Sequence, residues 1–265
     1  MDLSLSSDCP QPVEVEDCCM DQISASSAQP ATDIQGLPTV ILPGYLAGAE
    51  PYQPLAQWLS DRGFPTTVVP LKRSDWFPTL GGRPVTPILG ALEVTVAQVL
   101  EETGATRINL IGHSAGGWIS RIWLGDRPYG PTQQIWQGRD RTAALICLGT
   151  PHRSQERWTR RNIDFVNEQY PEAFYRDVRY VCVAGKAVQG AQRWGQWVAY
   201  NSYSLTIGQG DSWGDGITPI AAAHLEGALN LTYEAVYHSP RPNRLWYGSP
   251  QIAEQWRSHL LTTAA

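Results

Sequence analysis

The stretch INLIGHSAGGWISRIW, residues 108–123, decides the fold. It opens as an apolar run of the kind a buried strand supplies. It breaks at Gly112-His113-Ser114-Ala115-Gly116 and resumes with the apolar spacing of a helix. A sharp strand-to-helix turn lifts one side chain clear of a sheet, and it needs small neighbours to do so. Gly112 and Gly116 stand two residues to either side of Ser114, where such an elbow requires them. A serine hydroxyl held there becomes a nucleophile only if a base takes its proton; without one the same residues are a plain turn.

Working outward, TVILPG (39–44), PTTVVP (65–70), TAALICLGTP (142–151) and VRYVCVAG (178–185) are further strand-like runs, and YEAVYH (233–238) is a short sixth. Helical spacing covers 51–63, 86–104, the segment after Ser114 and 250–261, and HLEGALNL (224–231) also looks helical. Strands that alternate with helices and lack a polar face predict an α/β domain over 37–265. Its sheet is mostly parallel, of about six strands, with helices on both faces. Three stretches break the alternation, 125–141, 152–177 and 186–214, and are rich in Arg, Gln, Trp, Tyr and Gly. Long excursions from strand ends sit above the carboxyl edge of such a sheet, so these are expected to form a cap.

Residues 1–36 are acidic, contain no Lys or Arg, and are expected to be a disordered tail. Met20 within it would serve as an alternative start that leaves the domain intact. The 265-residue chain has a net charge of −5, and Lys72-Arg73 is the only basic pair before Arg160-Arg161, so no nucleic-acid partner is expected. No apolar run approaches the roughly 18 residues of a membrane span. The N-terminus has neither the positive nor the apolar region of a leader, so a cytoplasmic location is the expectation. Of the five cysteines, Cys147 and Cys182 lie in strand-like runs and are expected to be free, buried thiols. No zinc-ligand spacing, phosphate-cradling loop or dinucleotide fingerprint is present, so neither metal nor cofactor is expected. Eleven tryptophans, among them Trp76, Trp136, Trp158, Trp194, Trp197 and Trp213, are enough to line an apolar pocket or a membrane-facing rim; core packing under long loops is the alternative for each.

GHSAGG, with LPGYLAG upstream and LGTPH and GDGITP downstream, resembles the lipase-like serine hydrolases of the α/β-hydrolase superfamily over residues 38–262. HLEGALNLTYEAVYHSP and WYGSP look like a branch found in cyanobacteria and plant plastids. The resemblance implies a carboxylic ester hydrolase that uses Ser, then Asp or Glu, then His, in that chain order. It implies Asp215, in WGDGITP, as the acid, with Asp211 as rival. The base must sit on a loop at the carboxyl edge and be oriented by the acid; His238 fits and His224 is its rival. His113 is expected to pack, His152 to support the site and His259 to lie on the surface. The oxyanion hole needs two backbone N–H groups. Ala115 supplies one, at the helix start. Tyr45, directly after Pro43-Gly44, is the candidate for the other, and Leu46 is the alternative. Many lipases carry His-Gly where this chain has Pro43-Gly44. The expected substrate is an acyl-lipid ester, met in transient contact with a membrane surface by a monomer. A thioesterase, an acyltransferase on the same residues and a non-catalytic binding protein on this fold are the alternatives.

Overall fold

The structure, a computed structural model, describes residues 36–262; apart from Gly36, the expected disordered tail lies outside them. Strands β1 (Thr39–Leu42), β2 (Thr66–Val68), β3 (Ile108–His113), β4 (Thr142–Leu148) and β5 (Arg179–Lys186) fall on the apolar runs. Every residue of β1, β3 and β4 is buried, which is why these strands show no alternation in sequence. With β8 (Leu229–Glu234) they form one six-stranded sheet in the order β2-β1-β3-β4-β5-β8. Every pairing in it is parallel.

The helices bury two separate cores, one on each face. On one face Ile88, Leu92 and Val96 of α2 (Thr86–Thr103), Trp118 and Ile122 of α3 (Ala115–Leu124) and Ile163 and Val166 of α4 (Arg157–Gln169) pack on Val40, Leu110, Leu145 and Cys182. On the other, Leu55 and Leu59 of α1 (Gln53–Ser60) and Ile252 and Trp256 of α7 (Pro250–Trp256) pack on Ile41, Ile111, Ile146 and Val183. Neighbouring strand residues go to opposite faces, as the pleat demands. Proline in the first turn starts α1, α2 and α7, and left-handed Gly104 (φ 67°) ends α2.

Three expectations are corrected. The last strand is Leu229–Glu234, not 233–238: Ala235 takes a left-handed φ of 59° and ends it. The expected helix over 224–231 is absent. His224 closes the four-residue helix α6 (Ile220–Ala223), Gly227 turns the chain at φ 76°, and Leu229 is already strand. β8 escaped its pattern because it is an edge strand with half-exposed side chains. The C-terminal helix is also shorter than 250–261, with Arg257–His259 tightening into a 3-10 turn.

The excursions contain structure of their own. Residues 152–177 carry α4. Residues 186–214 carry α5 (Trp197–Ile207) and are tied at the base by a two-stranded antiparallel ribbon of β6 (Val188–Gln189) and β7 (Trp213–Gly214). Both leave from carboxyl ends of strands. Residues 125–141 instead join the end of α3 to the amino end of β4, with Gln137 N–H bonded to the Gly125 carbonyl. Among the described residues no helix is long and apolar enough to cross a membrane.

Candidate active site

Ser114 follows β3 directly, and its N–H still joins the sheet through the Leu148 carbonyl at 2.9 Å. Its backbone then takes φ 52° and ψ −123°, a conformation a non-glycine residue rarely adopts. Such strain costs of order 1–3 kcal/mol and persists only where the surroundings enforce it. Here the two glycines do. A Cβ on Gly112 would come within 2.5 Å of the Gly117 backbone, and one on Gly116 would collide with the Leu42 carbonyl oxygen. Helix α3 therefore lies against β3 and β1 more closely than any side chain allows.

The structure brings Ser114, His238 and Asp215 together. His238 Nε2 is 3.0 Å from Ser114 Oγ, and His238 Nδ1 is 2.7 Å from Asp215 Oδ2. The carboxylate fixes the tautomer: Nδ1 carries the proton and donates it, which leaves Nε2 to accept from the serine hydroxyl. Asp215 is fully buried and receives four donors, His238 Nδ1 and the Tyr247 hydroxyl (2.6 Å) on Oδ2, and the Ile217 and Thr218 amides (2.9 and 2.7 Å) on Oδ1. Burial alone would raise its pKa. Electrostatic attraction to His238 and these hydrogen bonds outweigh burial and hold the carboxyl below its ordinary value.

Tyr247 was not singled out in the sequence. Its hydroxyl donates to Asp215 and accepts the Gly185 N–H at 2.9 Å, so it ties the acid to the end of β5. Space for it comes from Gly149 and Gly185, where a Cβ would meet the Tyr247 ring or hydroxyl and Asp215.

His113 does more than pack. Its Nε2 is 2.8 Å from the His238 carbonyl oxygen and its Nδ1 is 2.7 Å from the Tyr52 hydroxyl, which in turn accepts the Gly44 N–H at 3.0 Å. The roles are forced: Nε2 donates to the carbonyl, Nδ1 accepts from tyrosine, and the ring is neutral. Burial, with the neighbouring His238, pushes its pKa down to about 3. One chain of hydrogen bonds thus links the loop after β1 to the backbone of His238. A Cβ on Gly44 would lie 3.0 Å from that of Ser114, so this loop rests directly on the serine.

The amides expected to line an oxyanion hole are placed as follows. Ala115 is the first residue of α3, and its N–H has no acceptor among the described residues. Tyr45 and Leu46 occupy a turn closed by the Ala47 N–H on the Gly44 carbonyl, and neither amide has an acceptor among the described residues. Gly44 is excluded as a donor by Tyr52.

The rivals lie elsewhere in the network. His224 Nε2 pairs with the Thr232 hydroxyl on β8 at 3.0 Å, and Asp211 is an exposed residue with no side-chain partner among the described residues. His259 is in the terminal 3-10 turn. His152 does not touch the serine array. It is buried between Arg121 Nη1 and Cys182 Sγ, each at 3.3 Å.

Cys147, His152 and Cys182 are the one group among the described residues whose potential ligand atoms lie within 4.8 Å of one another. They do not fit a cation as arranged. Arg121 donates to Nδ1 of His152, so the ring proton sits on Nε2 and points at Cys182, where a metal would have to lie. The Cys182 hydrogen bond, with His152 and Arg121 beyond it, lowers the pKa of the Cys147 thiol.

The tryptophans divide. Trp76 is buried, with its Nε1 on the Ala47 carbonyl, and Trp136 is buried as well. Trp158, Trp194, Trp197 and Trp213 are exposed, the last three on the 186–214 excursion. A cavity of about 380 Å³ opens beside His238 and Asp215, between this excursion (Val188, Val198, Ala199) and the loop after His238.

No family model matches the chain. It is similar to a triacylglycerol lipase of Pseudarthrobacter phenanthrenivorans, 44% identical over 61 residues, a match that spans 23% of this chain and only 16% of the relative. Among solved structures it is similar to phospholipase PlaB from Legionella pneumophila (TM-score 0.57, 14% identity, 82% of this chain and 56% of that one). It is also similar to a truncated carbohydrate esterase from gut microbiota (TM-score 0.51, 12% identity, 86% and 85%). At these identities the structural likeness concerns the fold.

Proposed function

The chain is an α/β-hydrolase by fold, and from that premise we propose that it is a serine hydrolase of carboxylic esters. The observation that carries this is the hydrogen-bonded line from Ser114 through His238 to Asp215, at 3.0 and 2.7 Å, with the serine on a strained turn. Ser114 Oγ attacks the ester carbonyl carbon and His238 Nε2 takes its proton. Asp215 holds the imidazole and stabilises its charge. The Ala115 and Tyr45 amides receive the oxyanion. His238 hands the proton to the departing alcohol, which leaves an acyl-enzyme on Ser114. Water activated by His238 then releases the acid.

Acyl lipids are the substrate class we favour. The reading is supported by the exposed Trp194 and Trp197 beside an opening lined by Val188, Val198 and Ile217, and by the lipase named among the relatives. In it, the 186–214 excursion is the cap and makes transient contact with a lipid surface. The array is complete within one chain, so a monomer suffices. The unpaired thiols Cys147 and Cys182 suit a reducing compartment such as the cytoplasm.

The test is labelling by a fluorophosphonate, read by intact mass, on the wild type and on Ser114→Ala. One adduct on the wild type that disappears in the variant supports the assignment, and p-nitrophenyl esters of rising chain length then define the acyl preference. Folded wild-type protein that takes no adduct and turns over no ester would refute it, in favour of a binding protein on a hydrolase fold.

A further inference from the structure

His238 sets the direction in which a substrate lies. A base that takes the serine proton and returns it to the leaving group must sit beside that leaving group. The space beyond His238 is therefore where the departing alcohol or thiol goes. The space we assign to it is a cavity of about 380 Å³ whose wall includes His238 and Asp215 but not Ser114 itself. Its two sides differ. One is apolar, formed by Val188, Val198, Ala199 and Ile217; the other carries Arg241 and Arg244.

The two arginines are set by a turn. Asn243 takes a left-handed φ of 58°, the Arg244 N–H approaches the Arg241 carbonyl at 3.4 Å, and the two residues face each other as a bridge. The Arg244 guanidinium lies over the Tyr237 ring, 4.6 Å from its centroid. Neither arginine has a carboxylate partner among the described residues, a state they share with ten other arginines; what sets these two apart is that both stand in the wall of this one cavity. The single carboxylate in the cavity wall, Asp215, is already filled by four donors. A chain of net charge −5 thus presents two unneutralised guanidiniums on the wall of the space next to its proton donor. Paired planar forks of this kind recognise phosphate oxygens.

We propose that Arg241 and Arg244 form a subsite for a phosphate carried by the leaving group, so that the substrate is a carboxylic ester or thioester of a phosphorylated alcohol or thiol. This rests on the ester-hydrolase reading of Ser114. The Ser114 Oγ–carbonyl carbon bond forms, the bond from that carbon to the departing oxygen or sulfur breaks, and the serine proton passes through His238 to the departing atom. Water completes the cycle and releases the carboxylate. The phosphate is bound and not transferred.

The test compares matched pairs that share one acyl chain: a monoacylglycerol with its 3-phosphate, and an acyl-pantetheine with its 4′-phosphate, all below their micelle concentrations. The quantity read is the ratio of kcat/KM for the phosphorylated ester to that for its neutral partner. The wild type is expected to favour the phosphorylated member. In Arg241→Ser/Arg244→Ser the ratio falls about tenfold, the scale of losing charge-assisted contacts to an anion. In Arg241→Lys/Arg244→Lys most of it survives. A fall in the glycerol pair alone identifies a lipid headgroup, and a fall in the pantetheine pair alone a soluble phosphorylated thiol. A wild-type ratio near one, or a ratio unchanged by the double substitution, overturns the proposal. If the wild type turns over none of the four and takes no fluorophosphonate, the hydrolase reading has failed separately. Glycerol 3-phosphate binding followed by phosphorus NMR then decides the subsite. Binding lost in the Ser/Ser variant upholds an anion site, and no binding to the wild type overturns it.

Discussion

Replacing His113 by Phe removes the link between the loop after β1 and the backbone of His238, and its consequence depends on pH in a calculable way. At neutral pH the ring makes two buried hydrogen bonds, to the Tyr52 hydroxyl at 2.7 Å and the His238 carbonyl at 2.8 Å. At about 1 kcal/mol net for each, the wild type should exceed His113→Phe in stability by about 2 kcal/mol, more if the orphaned partners stay dry. Burial, with the nearby His238, lowers the His113 pKa from 6.5 to about 3, so the unfolded chain binds its proton well before the folded one does. Stability from the neutral ring is therefore full above pH 6.5 and is lost as pH falls from 6.5 toward 3. At pH 5 the loss is the 1.5-unit gap times 1.36 kcal/mol per unit, about 2 kcal/mol. The variant has no such proton to bind. Urea unfolding of both proteins from pH 8 to pH 5 should show a gap of about 2 kcal/mol that closes as the solution is acidified. A gap constant across that range would refute the assignment of His113 as a buried neutral ring that holds both partners. Because the same bonds position His238, turnover of a soluble ester by His113→Phe should fall at pH 8, where the stability loss leaves the protein folded.

Tyr247→Phe should destabilise by about 1–3 kcal/mol, because the Gly185 N–H loses its buried acceptor and Asp215 one of its four donors; urea unfolding measures it, and no change would mean that water replaces the hydroxyl. Gly116→Ala should cost about 3 kcal/mol or prevent folding, since the methyl meets the Leu42 carbonyl on β1. Gly90→Ala, in the middle of α2 with nothing within 4 Å of the new methyl, should instead raise stability by about 0.5–1 kcal/mol, and a loss there would contradict the described helix surface. Trp194→Ser, at a fully exposed position, should leave the melting temperature unchanged while the ratio of turnover on vesicles to turnover of a soluble ester falls; an unchanged ratio would remove Trp194 from any lipid contact.

What could be read from the residues alone follows from how local each signal is. The elbow was legible because all of it lies within nine residues from Ile108 to Gly116 and each member has a steric reason to be there. β1, β3, β4 and β5 were legible because both faces of the sheet are covered and the strands are apolar throughout. β8 was misplaced for the converse reason: at the sheet edge its side chains are half exposed, and the apolar residues of 233–238 end in a left-handed turn at Ala235. The helices inside the excursions escaped as well. α4 is amphipathic, but its buried stripe of Asn162, Ile163 and Val166 is short and set among charged residues, while α5 spreads its apolar residues around the helix and buries only Ala199 and Tyr203, so it shows no one-sided stripe. His238 could be chosen over His224 because a base must stand on a loop at the carboxyl edge; the same reasoning has no purchase on its supports. Tyr52 reaches His113 across 61 residues and Tyr247 reaches Asp215 across 32. A tyrosine that orients a carboxylate looks, in sequence, like any tyrosine that packs in a core. The glycines it depends on, Gly149 and Gly185, look like strand ends. The proposed nucleophile is thus written locally, on a turn with few steric solutions. The groups that hold it in place are set by contacts between the ends of different strands, and only the assembled sheet brings those ends together.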